Sequence, residues 1–163
     1  MQLQLLHQTT CLTICYDQCN DWLFLDWAGD VTLPMVQEAC VELAACFLHC
    51  PYARVLNNNE QVTSVELSVA VWLATNFLPH MALAGLEKVA WVRSPSLRGQ
   101  GMVQNILRLL PGPIINDFDN IADAIYWLQR IRQPFSPVRS AATQTKLEQE
   151  VQALLQRLKT KAT

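Results

Sequence analysis

Cys11-Leu12-Thr13-Ile14-Cys15-Tyr16-Asp17 and Trp22-Leu23-Phe24-Leu25-Asp26-Trp27 are the two stretches that decide how this chain folds. The first alternates, with Leu12, Ile14 and Tyr16 on one face, which is the pattern of a half-buried strand. The second is almost continuously apolar and reads as a strand buried more fully. Between them stand only Gln18-Cys19-Asn20-Asp21, four residues of turn chemistry. So short a connection joins antiparallel neighbours, because parallel strands need a crossover of a dozen residues or more. The fold therefore opens on a hairpin, and Ala28-Gly29-Asp30 is expected to end its second strand.

Outward from the hairpin, helical and strand patterns alternate. Thr32 is placed to cap a helix entered at Pro34, an early position that proline tolerates. Val36, Ala39, Cys40, Leu43, Ala44 and Phe47 follow helical spacing, and Pro51 lies beyond the end. Arg54-Val55-Leu56 reads as a short strand stopped by Asn57-Asn58-Asn59. Thr63-Ser64-Val65-Glu66 has the form of a capping box, opening a helix that runs to Leu78 before Pro79. Leu67, Ala70, Val71, Ala74, Phe77 and Leu78 form its stripe, which Val69, Trp72 and Leu73 widen. Gly85 marks a helix end. Val89-Ala90-Trp91-Val92 is the continuous apolar strand of a parallel sheet, ended by Arg93-Ser94-Pro95. Met102, Val103, Ile106, Leu107 and Leu110 make a further helix stopped by Pro111-Gly112-Pro113. Ile114 and Ile115 begin a last strand, and Asn120 caps a helix with Ile121, Ala124, Ile125 and Leu128 on one side.

The fold class is thus α/β: a single mixed sheet of about five strands, opened by an antiparallel hairpin, flanked by four helices and followed by a C-terminal helix. Residues 11–132 form the domain, 133–140 a proline-containing linker, and 141–161 an amphipathic helix. In that helix Leu147, Val151, Leu154, Leu155 and Leu158 share a face. A lone helix of this length needs its stripe buried. The stripe must meet the domain itself or another chain, and a second copy, giving a homodimer, is the preferred partner.

Of the 163 residues, 51% are hydrophobic and 16% charged, and the formal net charge is −2. This excludes a disordered polyelectrolyte. The body of the chain shows no basic patch, so a nucleic-acid partner is not expected. No apolar run reaches the roughly 18 residues that span a bilayer. The first ten residues lack a basic start and a long apolar centre, so a cytoplasmic location is expected. Six cysteines (11, 15, 19, 40, 46 and 50) form no C-x-x-C pair and read as free thiols. His7, His49 and His80 are scattered. No metal, cofactor or catalytic set is read from these residues.

Three stretches together resemble the STAS domain superfamily, in its SpoIIAA-like branch. Trp22 to Gly29, followed by Thr32, is similar to that family's second strand and its entry into the first helix. Lys88-Val89-Ala90-Trp91-Val92 is similar to its later apolar strand. Phe118-Asp119, Ala124 and Trp127-Leu128 are similar to its ending. The likeness spans about residues 11–130. It implies a non-enzymatic regulatory or protein-interaction module, some relatives of which bind nucleotides or lipids. In the anti-sigma antagonists a serine or threonine that opens the helix after the third strand is phosphorylated. Thr63 and Ser64 occupy that place here, although Asn57 to Ser64 departs from the antagonists' D-S-S/T-G motif.

Candidate sites follow. Thr63 and Ser64 are a phosphoacceptor or a helix-cap switch, since an added phosphate is favoured at a helix N-terminus. Asp30, Asn57, Asn58, Arg93 and Ser94 form the strand-end rim where open α/β sheets bind ligands. Leu97-Arg98-Gly99-Gln100-Gly101 has only part of a dinucleotide fingerprint. Asp26, between Leu25 and Trp27, needs a hydrogen-bond partner or an exposed position. The alternative to the interaction module is a binding protein for a small apolar or amphipathic ligand, suggested by the apolar composition and the wide apolar helix around Trp72.

Overall fold

The hairpin pairs as the sequence predicts. In the computed structural model, which describes residues 1–95 and 113–131 and the helical positions 149, 152, 153 and 156, strand β2 (Leu12–Asp17) lies antiparallel to β3 (Trp22–Val31). Leu12 sits opposite Trp27 and Asp17 opposite Trp22. The turn is held by Asp17, whose carboxylate accepts from the Gln2 and Cys19 amides at 3.1 Å and from the Asn20 side chain at 2.6 Å. Asp21 takes the left-handed φ of 57° that closes it.

Among the described residues six strands form one mixed sheet in the order β1 to β6, one more than the five read from the sequence. The additional strand is β1 (Leu3–Gln8), antiparallel to β2. It lies at the sheet edge with most of its residues exposed, so no buried face marks it in the sequence. From β3 onward, β4 (Arg54–Val65), β5 (Lys88–Val92) and β6 (Ile114–Phe118) run parallel.

Strand β3 does not stop at Ala28-Gly29-Asp30. It continues to Val31 through two register shifts, with Gly29 at φ +80°. Strand β4 likewise does not stop at the three asparagines. It runs for 12 residues, because parallel neighbours on both sides take its backbone and each asparagine side chain finds a partner. Local turn preference yields to that pairing.

Helix α1 (Leu33–His49) has Thr32 at its N-cap and Pro34 in the first turn, but the threonine side chain makes no capping bond. The proposed capping box is not one. Thr63 and Ser64 lie on β4, and the next helix, α2 (Leu67–Trp72), has Glu66 as its N-cap. The Glu66 carboxylate instead accepts from the Leu33 amide and the Ser68 hydroxyl.

Nor does the helix end before Pro79. A π-helical segment, Leu73–Phe77, connects α2 to α3 (Leu78–Leu83), and Pro79 falls in the first turn of α3. The Leu78 amide reaches back five residues to the Leu73 carbonyl. The wider turn restarts the ladder just before the proline, which has no N–H to contribute. Gly85, at φ +99°, follows the end of α3.

Helix α4 (Ile121–Arg130) is capped by Asn120, whose side-chain oxygen accepts from the Asp123 amide at 2.9 Å. The core divides about the sheet. α1, α2 and α3 pack with Leu23, Leu25, Trp27 and Val55, while α4 packs with Trp22, Phe24, Leu56 and Val92 through Ala124 and Leu128. The helix expected over residues 102–110, the glycine-containing stretch 97–101, the linker 133–140 and the leucine stripe of the last helix lie outside the described residues. Among the described residues no helix is long and apolar enough to cross a membrane.

Candidate functional site

The two-residue period of a strand places Leu25 and Trp27 of β3, Val55, Asn57 and Asn59 of β4, and Val89 and Trp91 of β5 on the side of the sheet covered by α1 and α2. The facing wall comes from Val36, Cys40, Leu43 and Phe47 of α1, one stripe at helical spacing, and from Val69, Leu73, Phe77 and Met81. The last four recur every fourth residue. In a regular helix that spacing drifts by about 40° per step, since each residue turns about 100°. The π segment holds an extra residue in its turn, which offsets the drift and keeps the stripe on the sheet. Trp72 and Phe77 stack across it at 6.1 Å. Thr75 donates to the Val71 carbonyl at 2.8 Å, a side-chain bond that goes with bent helices.

Between these walls lies a cavity of about 120 Å³. Its lining is mostly aliphatic and aromatic, with Asn57, Asn59, Arg93 and Ser94 as polar members. Val65, Leu73, Leu78, Trp91 and Arg93 are the half-exposed parts of the wall. Cys40 also lines it, and burial pushes its thiol well above the usual range.

The polar members differ in how they are satisfied. Ser94 donates to the Val62 carbonyl at 2.5 Å, and the Asn59 amide donates to the Val92 carbonyl at 2.8 Å. Asn57, only 5% exposed, accepts the Trp27 indole N–H at 2.8 Å. An indole nitrogen can only donate, so the carbonyl oxygen of Asn57 must face Trp27. That fixes the amide, and its Nδ2 is left buried without a partner. Arg93 meets Asp119 at 2.8 Å and Asp117 at 3.6 Å, while its Nε is buried and unpartnered.

The structure does not gather the five rim residues into one site. Asn57, Arg93 and Ser94 line the cavity. Asn58 points to the opposite face, where it donates to Asp26 at 2.9 Å and supplies the partner that this carboxylate requires. Asp30 stands at the exposed end of β3. It accepts hydroxyl bonds from Thr63 and from Ser64, the latter at 2.9 Å. These hydroxyls hold the Asp30 carboxyl below its ordinary range. Thr63 and Ser64 therefore sit on a strand beside a carboxylate, not at the amide-rich start of a helix.

Sequence reasoning missed the pairing of Trp27 with Asn57. The available signal was a tryptophan in a central strand, whose N–H must find an acceptor when buried. It also missed Arg54, which is buried at the start of β4. Arg54 donates to the carbonyls of Leu128, Asn20 and Asp21 at 3.1, 2.5 and 3.1 Å and lies over the Trp22 ring. It ties the hairpin turn and α4 to the sheet. All six cysteines are free, and among the described residues no group of three His, Cys, Asp or Glu side chains is placed to hold a metal ion.

No family model matches the chain, and no curated protein matches it. Among solved structures it is similar to an uncharacterized protein of the DUF3478 family with a SpoIIAA-like fold from Shewanella loihica PV-4. That likeness has 18% identity and a TM-score of 0.49, and it covers 76% of this chain and 98% of the other.

Proposed function

We propose that the chain is a non-enzymatic, STAS-like binding module that holds a small, mainly apolar ligand between its sheet and helices α1 and α2. The observation that carries this reading is the cavity. Protein interiors pack like organic crystals, with few voids larger than a water molecule. A space of 120 Å³ would cost about 3 kcal/mol if it stayed empty, at roughly 24 cal/mol per Å³. An engineered apolar cavity of about 150 Å³ takes up benzene, so the matching ligand here is of benzene size. The π segment in the cavity wall agrees, since such turns recur at functional sites.

Benzene itself tests the proposal. At about ten times its dissociation constant, a ligand bound only by the folded state adds about 1.4 kcal/mol, or roughly 3–6 °C in unfolding midpoint. The wild-type chain should show that shift. A variant with the cavity filled by Val55→Ile, Val62→Ile and Val89→Ile should not. An unshifted wild type would remove the reading.

A regulatory or protein-interaction role, which the family resemblance implies, is the second reading. It is favoured by Leu67 and Val71, four residues apart on α2 and 50% and 46% exposed. Light scattering on the full chain and on its Leu67→Glu variant tests for a second copy on this face. A dimer that the substitution dissociates supports it, and a monomer in both counts against self-association.

A further inference from the structure

We infer that the strip of the sheet between α4 and β1 is a docking surface for this chain's own C-terminal helix, residues 141–161. The strip lies on the face opposite the cavity. Among the described residues α4 alone covers that face, and it packs over β4 and β5. Leu5 pairs directly with Cys15, a member of the core on the α4 side, so Leu5 and, two residues away, Leu3 point to that side. They stand 58% and 44% exposed at the outer rim of the strip. Cys15 and Phe24, opposite one another on β2 and β3, form its floor. Ile125 of α4 forms the inner rim. Gln129, one turn on, donates to Asn20 at 3.0 Å, which turns this flank of α4 toward the hairpin.

The dimensions fit a helix. Neighbouring strands lie about 4.8 Å apart, so a second helix over β2 and β3 would stand about 10 Å from α4, the distance at which helices pack. From Leu147 to Leu158 a helix rises about 17 Å, and the six residues of β1 extend about 20 Å. The two sides of the helix fit as well. Gln149, Gln152, Ala153 and Gln156 are helical and exposed, and at offsets of three, four and seven residues they share one face. The sequence pattern puts the leucine stripe on the side opposite to them, where it is free to meet Leu3 and Leu5.

The tether decides the occupant. α4 ends at the near end of the strip, since Arg54 donates both to the Leu128 carbonyl at 3.1 Å and to the Asn20 carbonyl at 2.5 Å. Asn20 in turn donates to Asp17, which holds the Gln2 amide just before β1. Residues 132–140 can extend over about 30 Å, about three times the distance to be crossed. Such a tether keeps the helix at an effective concentration in the millimolar range, which a second copy matches only in concentrated solution. Turning back at that end, the helix runs antiparallel to α4, the arrangement that short connections favour.

Limited trypsin digestion of the full chain tests the inference at Lys146 and Arg157, which lie within residues 141–161. Cleavage there should be slow in the wild type. Leu3→Glu/Leu5→Glu should quicken it at least about tenfold, while Lys88, in a central strand, stays uncut. An unchanged rate would overturn the inference. Wild-type protection that is lost on dilution would show a second copy's helix on the strip, and would overturn the tethered form. If cleavage at Lys88 shows that the variant has unfolded, methyl NOEs in the wild type decide. Contacts from Leu5 to the leucines of residues 147–158 within one chain are expected. Their absence, or their appearance only between differently labelled chains in a mixed sample, would overturn the inference.

Discussion

Adding one methyl group to each of Val55, Val62 and Val89 should stabilise this protein, against the usual result of enlarging core residues. All three are at least 96% buried and line the cavity from strands β4 and β5. In a filled core an extra methylene forces strain that typically costs about 1–3 kcal/mol. Here it enters open space. Isoleucine keeps the β-branch that suits a strand, so the change acts through packing and not through backbone preference. Each buried methylene contributes about 0.8 kcal/mol, so the triple variant should gain about 2.4 kcal/mol. That lies within the roughly 3 kcal/mol that an enclosed, empty cavity of 120 Å³ would cost. Urea unfolding should show a later midpoint at an unchanged slope. The thermal midpoint should rise by about 5–10 °C at this chain length. A loss of about 1 kcal/mol or more would show that the three valines are already in a packed core and would refute the reasoning.

Replacing Arg54 by methionine keeps an apolar stem but withdraws the donor from three carbonyls, and should destabilise by about 2–4 kcal/mol in urea unfolding, with lysine intermediate; stability within about 0.5 kcal/mol of wild type would deny its role as a tie. The hydroxyls of Thr63 and Ser64 lower the folded-state value of Asp30, so the stability they lend is present above the ordinary 3.8 and is lost as pH falls through the lowered value. A carboxyl titration by NMR should place Asp30 below 3.8, and Thr63→Val/Ser64→Ala should return it to the ordinary range. Among the thiols, iodoacetamide should label the exposed Cys19 and Cys50 first. Cys40, buried and held well above the usual thiol range, should resist until the chain unfolds, as peptide mass mapping would record.

The parts of the fold legible in the sequence are those where one face is buried and local chemistry agrees with it. The β2–β3 hairpin, β5 and the Asn120 cap belong here, because alternation, apolar continuity and a capping side chain all act within a few residues. Strand β4 was legible only in its first residues, Arg54 to Leu56, and not in its continuation. Three successive asparagines favour turns in isolation, and only partners distant in sequence (Trp27, Asp26 and the Val92 carbonyl) give them a place in a strand. The Thr63-x-x-Glu66 pattern matched a capping box for the same reason: the motif is local, whereas the neighbouring β3 strand that holds Thr63 and Ser64 is not. The π turn that carries the helix past Pro79 depends on packing against the sheet. As for the site, periodicity assigns Leu25, Trp27, Val36 and Phe47 to buried faces. Whether those faces meet or leave a space between them depends on side-chain volumes summed over seven elements, which no local pattern encodes.

The central claim, that the space between the sheet and α1 and α2 is a binding site, is tested most directly by NMR titration of the wild-type chain with benzene. Saturable shifts should appear at the Trp27 indole N–H, the Asn57 side-chain amide and the methyl groups of Val62 and Val89, all in the cavity wall. They should be absent at the exposed Leu67 and Val71. Shifts that never saturate, or that gather on the outer face of α2 and leave the cavity wall unmoved, would contradict it.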